Sequence, residues 1–122
     1  RFKDGYLNGQ GKVTKPDGRK YIGELKNGSP NGLGTEYFPG LGKYGGEWEK
    51  GLPNGKGEFI YTKGAYYIGE WKDGKWNGLG KFFAPDGRMF IGESRNNVKW
   101  NGIWYDKDGN IIGKIVNGVP NY

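Results

Sequence analysis

Side chains along this chain alternate with a period of two. In YIGEWK, Tyr67, Gly69 and Trp71 fall on one side, and Ile68, Glu70 and Lys72 on the other. Upstream, Gly57, Phe59 and Tyr61 alternate in the same way with Glu58 and Ile60. Successive side chains of a strand point to opposite faces, so each set marks one face of an extended segment. No stretch shows amphipathic helical spacing. Asn-Gly and Asp-Gly pairs between the runs supply the positive φ angles that tight turns require. The pattern predicts an all-β chain of short antiparallel strands, joined in pairs through glycine-rich loops.

The alternation itself recurs. Tyr21, Tyr44, Tyr67 and Phe90 each open a unit of about 23 residues. Gly23, Gly46, Gly69 and Gly92 follow, then Glu24, Glu47, Glu70 and Glu93, then Leu25, Trp48, Trp71 and Ser94. Asn27-Gly28, Lys50-Gly51 and Asp73-Gly74 come next as turn pairs. Asn31-Gly32, Asn54-Gly55 and Asn77-Gly78 then lead to a second glycine at Gly34, Gly57 and Gly80. A stack of such units gains stability because each covers its neighbour.

The two fixed glycines have a physical use. If Gly69 and Gly80 face each other across a hairpin, they leave a slot without side chains. Rings from the first and fifth positions then lie flat over bare backbone. A sheet one layer thick buries apolar area in this way, on the order of 150–250 Å² for each Tyr or Trp. Gly23, Gly46, Gly69 and Gly92 are therefore expected to be structural. So are Glu24, Glu47, Glu70 and Glu93, each accepting hydrogen bonds from backbone N–H groups of its own loop.

Composition narrows the class. With 26 glycines, 16% aromatic residues and only 34% hydrophobic residues, the chain is too aromatic for disorder and too poor in aliphatic residues for a helical core. It has no cysteine and no histidine, which excludes disulfides, zinc-finger ligand sets, cysteine nucleophiles and histidine-based sites. No cofactor is expected. No apolar run approaches the ~20 residues of a membrane helix, so the chain reads as soluble, its compartment open and peripheral membrane contact an option. The net charge of +6 is uneven. Arg1, Lys3, Lys12, Lys15, Arg19 and Lys20 face only Asp4 and Asp17 in the first stretch, and such a basic end suits an anionic partner. A solvated edge with a chance excess of base is the plainer alternative.

YxGEWKxGxxNGxG, followed by an aromatic strand and Pro-Asp-Gly, closely resembles the MORN repeat (membrane occupation and recognition nexus). The resemblance covers nearly the whole chain. It implies an elongated, twisted, grooved ribbon of tandem β-hairpins that serves as a scaffold or docking platform. For some members association with acidic phospholipids has been proposed, and others assemble into dimers. On this register the array divides into a partial first repeat at 1–20, full repeats at 21–43, 44–66 and 67–89, a degenerate repeat at 90–110 and a C-terminal cap at 111–122. "FKDGYLNGQG" from Phe2 lacks the Tyr-x-Gly-Glu opening, so the chain is expected to be a fragment that begins inside a repeat, or to carry an eroded first unit. Toward the other end the pattern decays. Ser94 replaces an aromatic ring, Asn96-Asn97 a glycine turn, Lys114 a glutamate and Tyr122 a glycine, and one residue is lost near Gly102.

Candidate chemistry is sparse. Equivalent glutamates should lie two strands apart, roughly 10 Å, at the outer limit of the ~6.5–9.5 Å used by inverting glycosidases. An acid/base pair needs two environments that push its pKa values apart, and repeat symmetry gives these carboxylates the same one. "GLPNGKG" from Gly51 is one residue short of a phosphate loop and lacks its Ser or Thr. Asn27-Gly28-Ser29 matches a glycosylation sequon only formally, since Pro30 follows. No enzyme is expected. Tyr44, Trp48, Tyr67 and Trp71, with Phe59 and Tyr61, are packing residues first and candidate groove residues second. Basic residues and stacking rings both suit nucleic acid, but the acidic ladder argues against it.

Lys75-Trp76 and Lys99-Trp100 replace the residues that elsewhere precede Asn-Gly, and read as loops about two strand spacings apart. Either they form one exposed patch for a protein partner or a second copy, or the rings fold back and seal the weakening end. The leading reading is a non-enzymatic repeat scaffold mediating protein–protein interaction. The alternative is peripheral binding of acidic phospholipid through the basic N-terminal end. A glycan- or cell-wall-binding hairpin repeat ranks third, because those repeats are shorter and lack the Gly-Glu ladder.

Overall fold

The computed structural model describes residues 2, 3 and 6–121, and side chains from residue 8 to residue 121. Strands β1 (Phe2–Lys3) and β2 (Tyr6–Leu7) form a small separate ladder. The others are β3 (Gly9–Thr14), β4 (Lys20–Lys26), β5 (Ser29–Phe38), β6 (Gly42–Glu49), β7 (Leu52–Tyr61), β8 (Tyr66–Lys72), β9 (Lys75–Phe83), β10 (Met89–Arg95), β11 (Val98–Tyr105), β12 (Ile111–Val116) and β13 (Val119–Asn121). These 11 strands form one open antiparallel sheet in strict chain order. Among the described residues there is no helix. The expected single-layer array of hairpins is what the chain forms.

The turns differ from expectation in one respect. Asn27-Gly28 takes φ of 51° and 79°, Lys50-Gly51 51° and 83°, and Asp73-Gly74 49° and 82°. Two consecutive positive φ values make the two-residue turn whose twist matches that of the flanking strands. Asn96-Asn97, with φ of 48° and 70°, builds the same turn without glycine, so the apparent decay there changes no backbone. The later Asn-Gly pairs are not loops. Pairing shifts between Gly23↔Gly34 and Leu25↔Pro30, so Asn31, Gly32 and Leu33 lie opposite Glu24 alone, as a bulge within β5. Equivalent shifts occur between β6 and β7 and between β8 and β9. Gly32, Gly55 and Gly78 supply the positive φ of the bulge, at 97°, 94° and 109°.

Inside each hairpin the fixed glycines pair across the strands, as Gly23↔Gly34, Gly46↔Gly57 and Gly69↔Gly80. The ring of the preceding tyrosine covers them. A Cβ added at Gly34, Gly57 or Gly80 would overlap the phenol of Tyr21, Tyr44 or Tyr67. These tyrosines are buried to 1%, 0% and 1% residual exposure with no second layer above them. What shields Tyr21 and Tyr44 is the next repeat. Trp48 stands edge-on between Tyr21 and Tyr44, at 5.1 Å from each ring centre, and Trp71 stands between Tyr44 and Tyr67 at 5.0 and 5.4 Å. Edge-to-face rings at such distances are a favoured arrangement. The core is thus a row along one face of the sheet.

Candidate functional site

Each tyrosine of the row donates its hydroxyl to the backbone carbonyl three residues on. The distances are 2.6 Å from Tyr21 to Glu24, 2.8 Å from Tyr44 to Glu47 and 3.1 Å from Tyr67 to Glu70. Burial, with the nearby carboxylates of Glu24 and Glu70, pushes the Tyr21 and Tyr67 phenols up to about 12. Burial raises Tyr44 further still. Trp48 and Trp71 donate their indole N–H to the carbonyls of Gly34 and Gly57, at 2.9 and 3.0 Å. The polar tips of these five rings are therefore spent on backbone.

The carboxylates reach across the bulge. Glu24 accepts the N–H of Leu33 at 2.5 Å, Glu47 that of Lys56 at 2.5 Å and Glu70 that of Leu79 at 2.6 Å. These are charge-assisted contacts on the solvent side of the sheet. Glu93 does otherwise, accepting from the side-chain amide of Asn101 at 3.2 Å. Three repeats thus hold the carboxylate in one environment, which gives no divergent acid and base.

One set of functional residues escaped the sequence reading. The asparagine of each of these bulges, and Asn8 just before β3, accepts the N–H that opens the next hairpin's turn: Asn8 from Asn27, Asn31 from Lys50, Asn54 from Asp73 and Asn77 from Asn96, at 3.0, 3.4, 3.0 and 3.2 Å. Beside it, Gly51 and Gly74 donate to the carbonyls of Pro30 and Pro53. These side chains tie successive hairpins together at one edge. Their constant offset of 19 residues was the available signal.

The Lys-Trp pairs do not form a shared patch. Lys75 and Trp76 begin β9, and Lys99 and Trp100 lie in β11, so neither pair occupies a loop. Trp76 is 9% exposed and stacks on Tyr67 at 4.4 Å and 7°. It covers that tyrosine where the fifth position of the next hairpin has shrunk to Ser94. Trp100 rests against Gly118, in the last turn, and under the Arg95 guanidinium at 4.7 Å. The residue lost near Gly102 shifts the register, so Lys99, not Trp100, takes the place equivalent to Trp76. Lys99 pairs with Ser94, as Trp76 does with Trp71. Its ammonium lies 4.2 Å from the Phe82 ring, 5.1 Å from Trp76 and 5.5 Å from Trp104. Burial pulls its pKa below the usual lysine value. Lys75 is exposed.

The basic N-terminal end does not form one surface either. Arg1 and the Lys3 side chain lie outside the described residues. Lys15 contacts the buried Glu36 carboxylate at 3.2 Å, and Arg19 approaches it at 3.9 Å while pairing with Asp17 at 2.8 Å. Glu36 pairs with Tyr21 and Tyr44, which places this cluster on the aromatic face. Lys12 pairs with Ile22 and Lys20 with Tyr37, which places them on the opposite face. Sequence proximity had grouped charges that strand alternation separates. Above the aromatic row an open cleft of about 240 Å³ is floored by Tyr44, Trp48 and Trp71 and rimmed by Leu41, Leu52 and Lys15.

Comparison with curated proteins finds no match. A family model described as the MORN repeat matches residues 1–18, 21–43, 44–66 and 67–87. The matches at 21–43, 44–66 and 67–87 fall on the hairpins whose glycine slots, glutamates and bulge asparagines have just been described. The chain belongs to the MORN-repeat family, whose repeats build scaffolds.

Proposed function

We propose that this array is a non-enzymatic scaffold that docks another protein. The observation that supports it is the cleft above the aromatic row, whose rim residues Leu41 and Leu52 are 50% and 45% exposed. At about 240 Å³ it is smaller than the ~300–1,000 Å³ typical of small-molecule sites. It is large enough to take an apolar side chain from a partner. The shared environment of Glu24, Glu47 and Glu70 supports the absence of chemistry, since those three do not differ in the way that acid/base catalysis demands.

Two assays run together test this reading. The chain is immobilised and challenged with extract, and in parallel is floated with anionic and neutral vesicles at low salt. Retention of specific proteins that Leu41→Glu/Leu52→Glu abolishes, with the melting temperature held, is the expected result. Flotation with anionic vesicles alone, lost at high salt, would replace this reading with peripheral lipid binding.

A further inference from the structure

The face opposite the aromatic row is apolar too, and no described residue covers it. Pairing carries Ile60, Tyr66, Phe83, Met89 and Tyr105 along one row across β7–β11. The adjoining row carries Ile68, Lys81, Ile91 and Ile103. Ile60, Ile68 and the neighbouring Leu79 are 45%, 42% and 68% exposed. Two adjoining hollows of about 590 and 420 Å³ share Ile68 and Leu79 as walls, and Gly45 opens one end of the first. An apolar sheet face is normally buried against another element, and an exposed patch of this extent marks an interaction site.

Charge decides the occupant. Lys43 pairs with Ile60, Lys81 lies between Ile68 and Ile91, and Lys114 pairs with Ile103. Lys12 and Lys20 continue the same face toward β3 and β4. None of these five lysines makes an ion pair among the described residues. The one carboxylate on these rows, Glu58, accepts the Tyr66 hydroxyl at 2.6 Å. In the next row Glu24, Glu47 and Glu70 accept backbone N–H groups, and Glu93 accepts the Asn101 amide and lies 3.7 Å from the Arg95 guanidinium. A second copy would set lysines against lysines. An extended peptide would find no backbone partners on a face, since sheets offer them only at their edges. A helix satisfies its own backbone and presents an apolar stripe.

We propose that this face docks an acidic amphipathic helix of a partner protein, its apolar stripe on Ile60, Ile68, Phe83 and Ile91 and its carboxylates on Lys43, Lys81 and Lys114. From Lys43 on β6 to Lys114 on β12 seven strands span about 29 Å, the length of about 19 helical residues. The proposal rests on the docking-scaffold reading, to which it adds a second surface and a class of partner.

The test uses a labelled synthetic helix of about 20 residues with a leucine stripe flanked by glutamates, and its counterpart with lysines. Both are titrated against the full chain and against Ile68→Asp/Ile91→Asp, Lys81→Glu and Leu41→Glu/Leu52→Glu. Anionic vesicles form a separate arm, and thermal melting controls for folding. The glutamate helix should bind the parent chain and the lysine helix should not. Ile68→Asp/Ile91→Asp and Lys81→Glu should each weaken binding by about tenfold or more without lowering the melting temperature, while the cleft variant should bind as the parent does. Equal binding of both helices, or none, would overturn the proposal. Binding that survives the first two variants but falls with the cleft variant would overturn this surface and leave the scaffold reading standing. Association with vesicles alone would count against both.

Discussion

Hairpins β4–β5, β6–β7 and β8–β9 share a backbone plan with β10–β11 and β12–β13 but hold it by different side chains. In the first group a tyrosine hydroxyl is tied to a carbonyl, a carboxylate spans the bulge, and a tryptophan or leucine stands at the fifth position. In β10, Phe90 has no hydroxyl to tie, Glu93 has left the backbone for Asn101, and Ser94 leaves a gap. Rings from the second strands refill the row. Trp76 stacks on Tyr67, and Trp104 packs on Phe90 at 5.6 Å. The replacement is incomplete, because the buried Trp104 indole nitrogen has no hydrogen-bond partner, whereas Trp48 and Trp71 each have one. What the two regions share is the paired-glycine slot, Gly92↔Gly102 in the later one, with Phe90 lying over it. The slot is the element on which the single layer depends; the ring that caps it is exchangeable.

Removing a refilling ring at the junction of the two regions should have the largest effect. Trp76→Ala strips the cover from Tyr67 and one wall from the Lys99 ammonium, so a loss of about 3–5 kcal/mol is expected in urea unfolding. Trp100→Ala, which removes a ring lying on the surface of the last turn, should lose about 1 kcal/mol. Equal losses would mean that the two tryptophans play one role after all.

Alkaline pH separates the regions next. The folded-state phenols of Tyr21 and Tyr67 titrate at about 12, above about 10 in the unfolded chain. A raised pKa means that the folded state holds the proton more tightly. The stabilisation is complete below pH of about 10 and is lost as pH rises toward 12, by about 2 kcal/mol per phenol. Phe90 carries no such group, so β10–β13 should be spared this term. Segment-resolved hydrogen exchange at rising pH checks it, and opening confined to the C-terminal hairpins would contradict it.

The glutamate bridge gives the smallest contrast. Because it faces solvent, Glu47→Gln should lose about 1 kcal/mol, and Glu93→Gln no more than about 0.5 kcal/mol. A larger loss at Glu93 would show that its link to Asn101 matters more than the bulge bridge.

Much of this architecture was legible beforehand. Period-two alternation gave the strands, and the spacing of Gly69 and Gly80 gave the slot and the first-position ring over it. The fifth-position ring, also expected to lie flat, stands edge-on to the tyrosines. The bulge was not legible, because Asn27-Gly28 and Asn31-Gly32 carry the same dipeptide, although in the turn both residues take positive φ and in the bulge only the glycine does. The lost residue near Gly102 misaligned the Lys-Trp pairs, since a one-residue shift moves each side chain to the other face. For the same reason Lys15 and Lys20 looked like neighbours in one basic cluster. The apolar second face could not be seen until register set Ile68, Lys81 and Ile91 side by side.

Two glycines on opposite faces test the slot most directly. A Cβ at Gly57 would overlap the Tyr44 phenol, whereas one at Gly45 would meet only Thr35 Oγ1, at 3.5 Å. Neither position takes a left-handed φ, so backbone strain does not separate them. Gly57→Ala should lose about 3 kcal/mol or more in equilibrium urea unfolding, and Gly45→Ala should be neutral or gain up to about 1 kcal/mol from the reduced entropy of its unfolded chain. Equal stability in the two variants would mean that the tyrosine ring does not depend on bare backbone beneath it, and the account of how one layer holds itself together would fail.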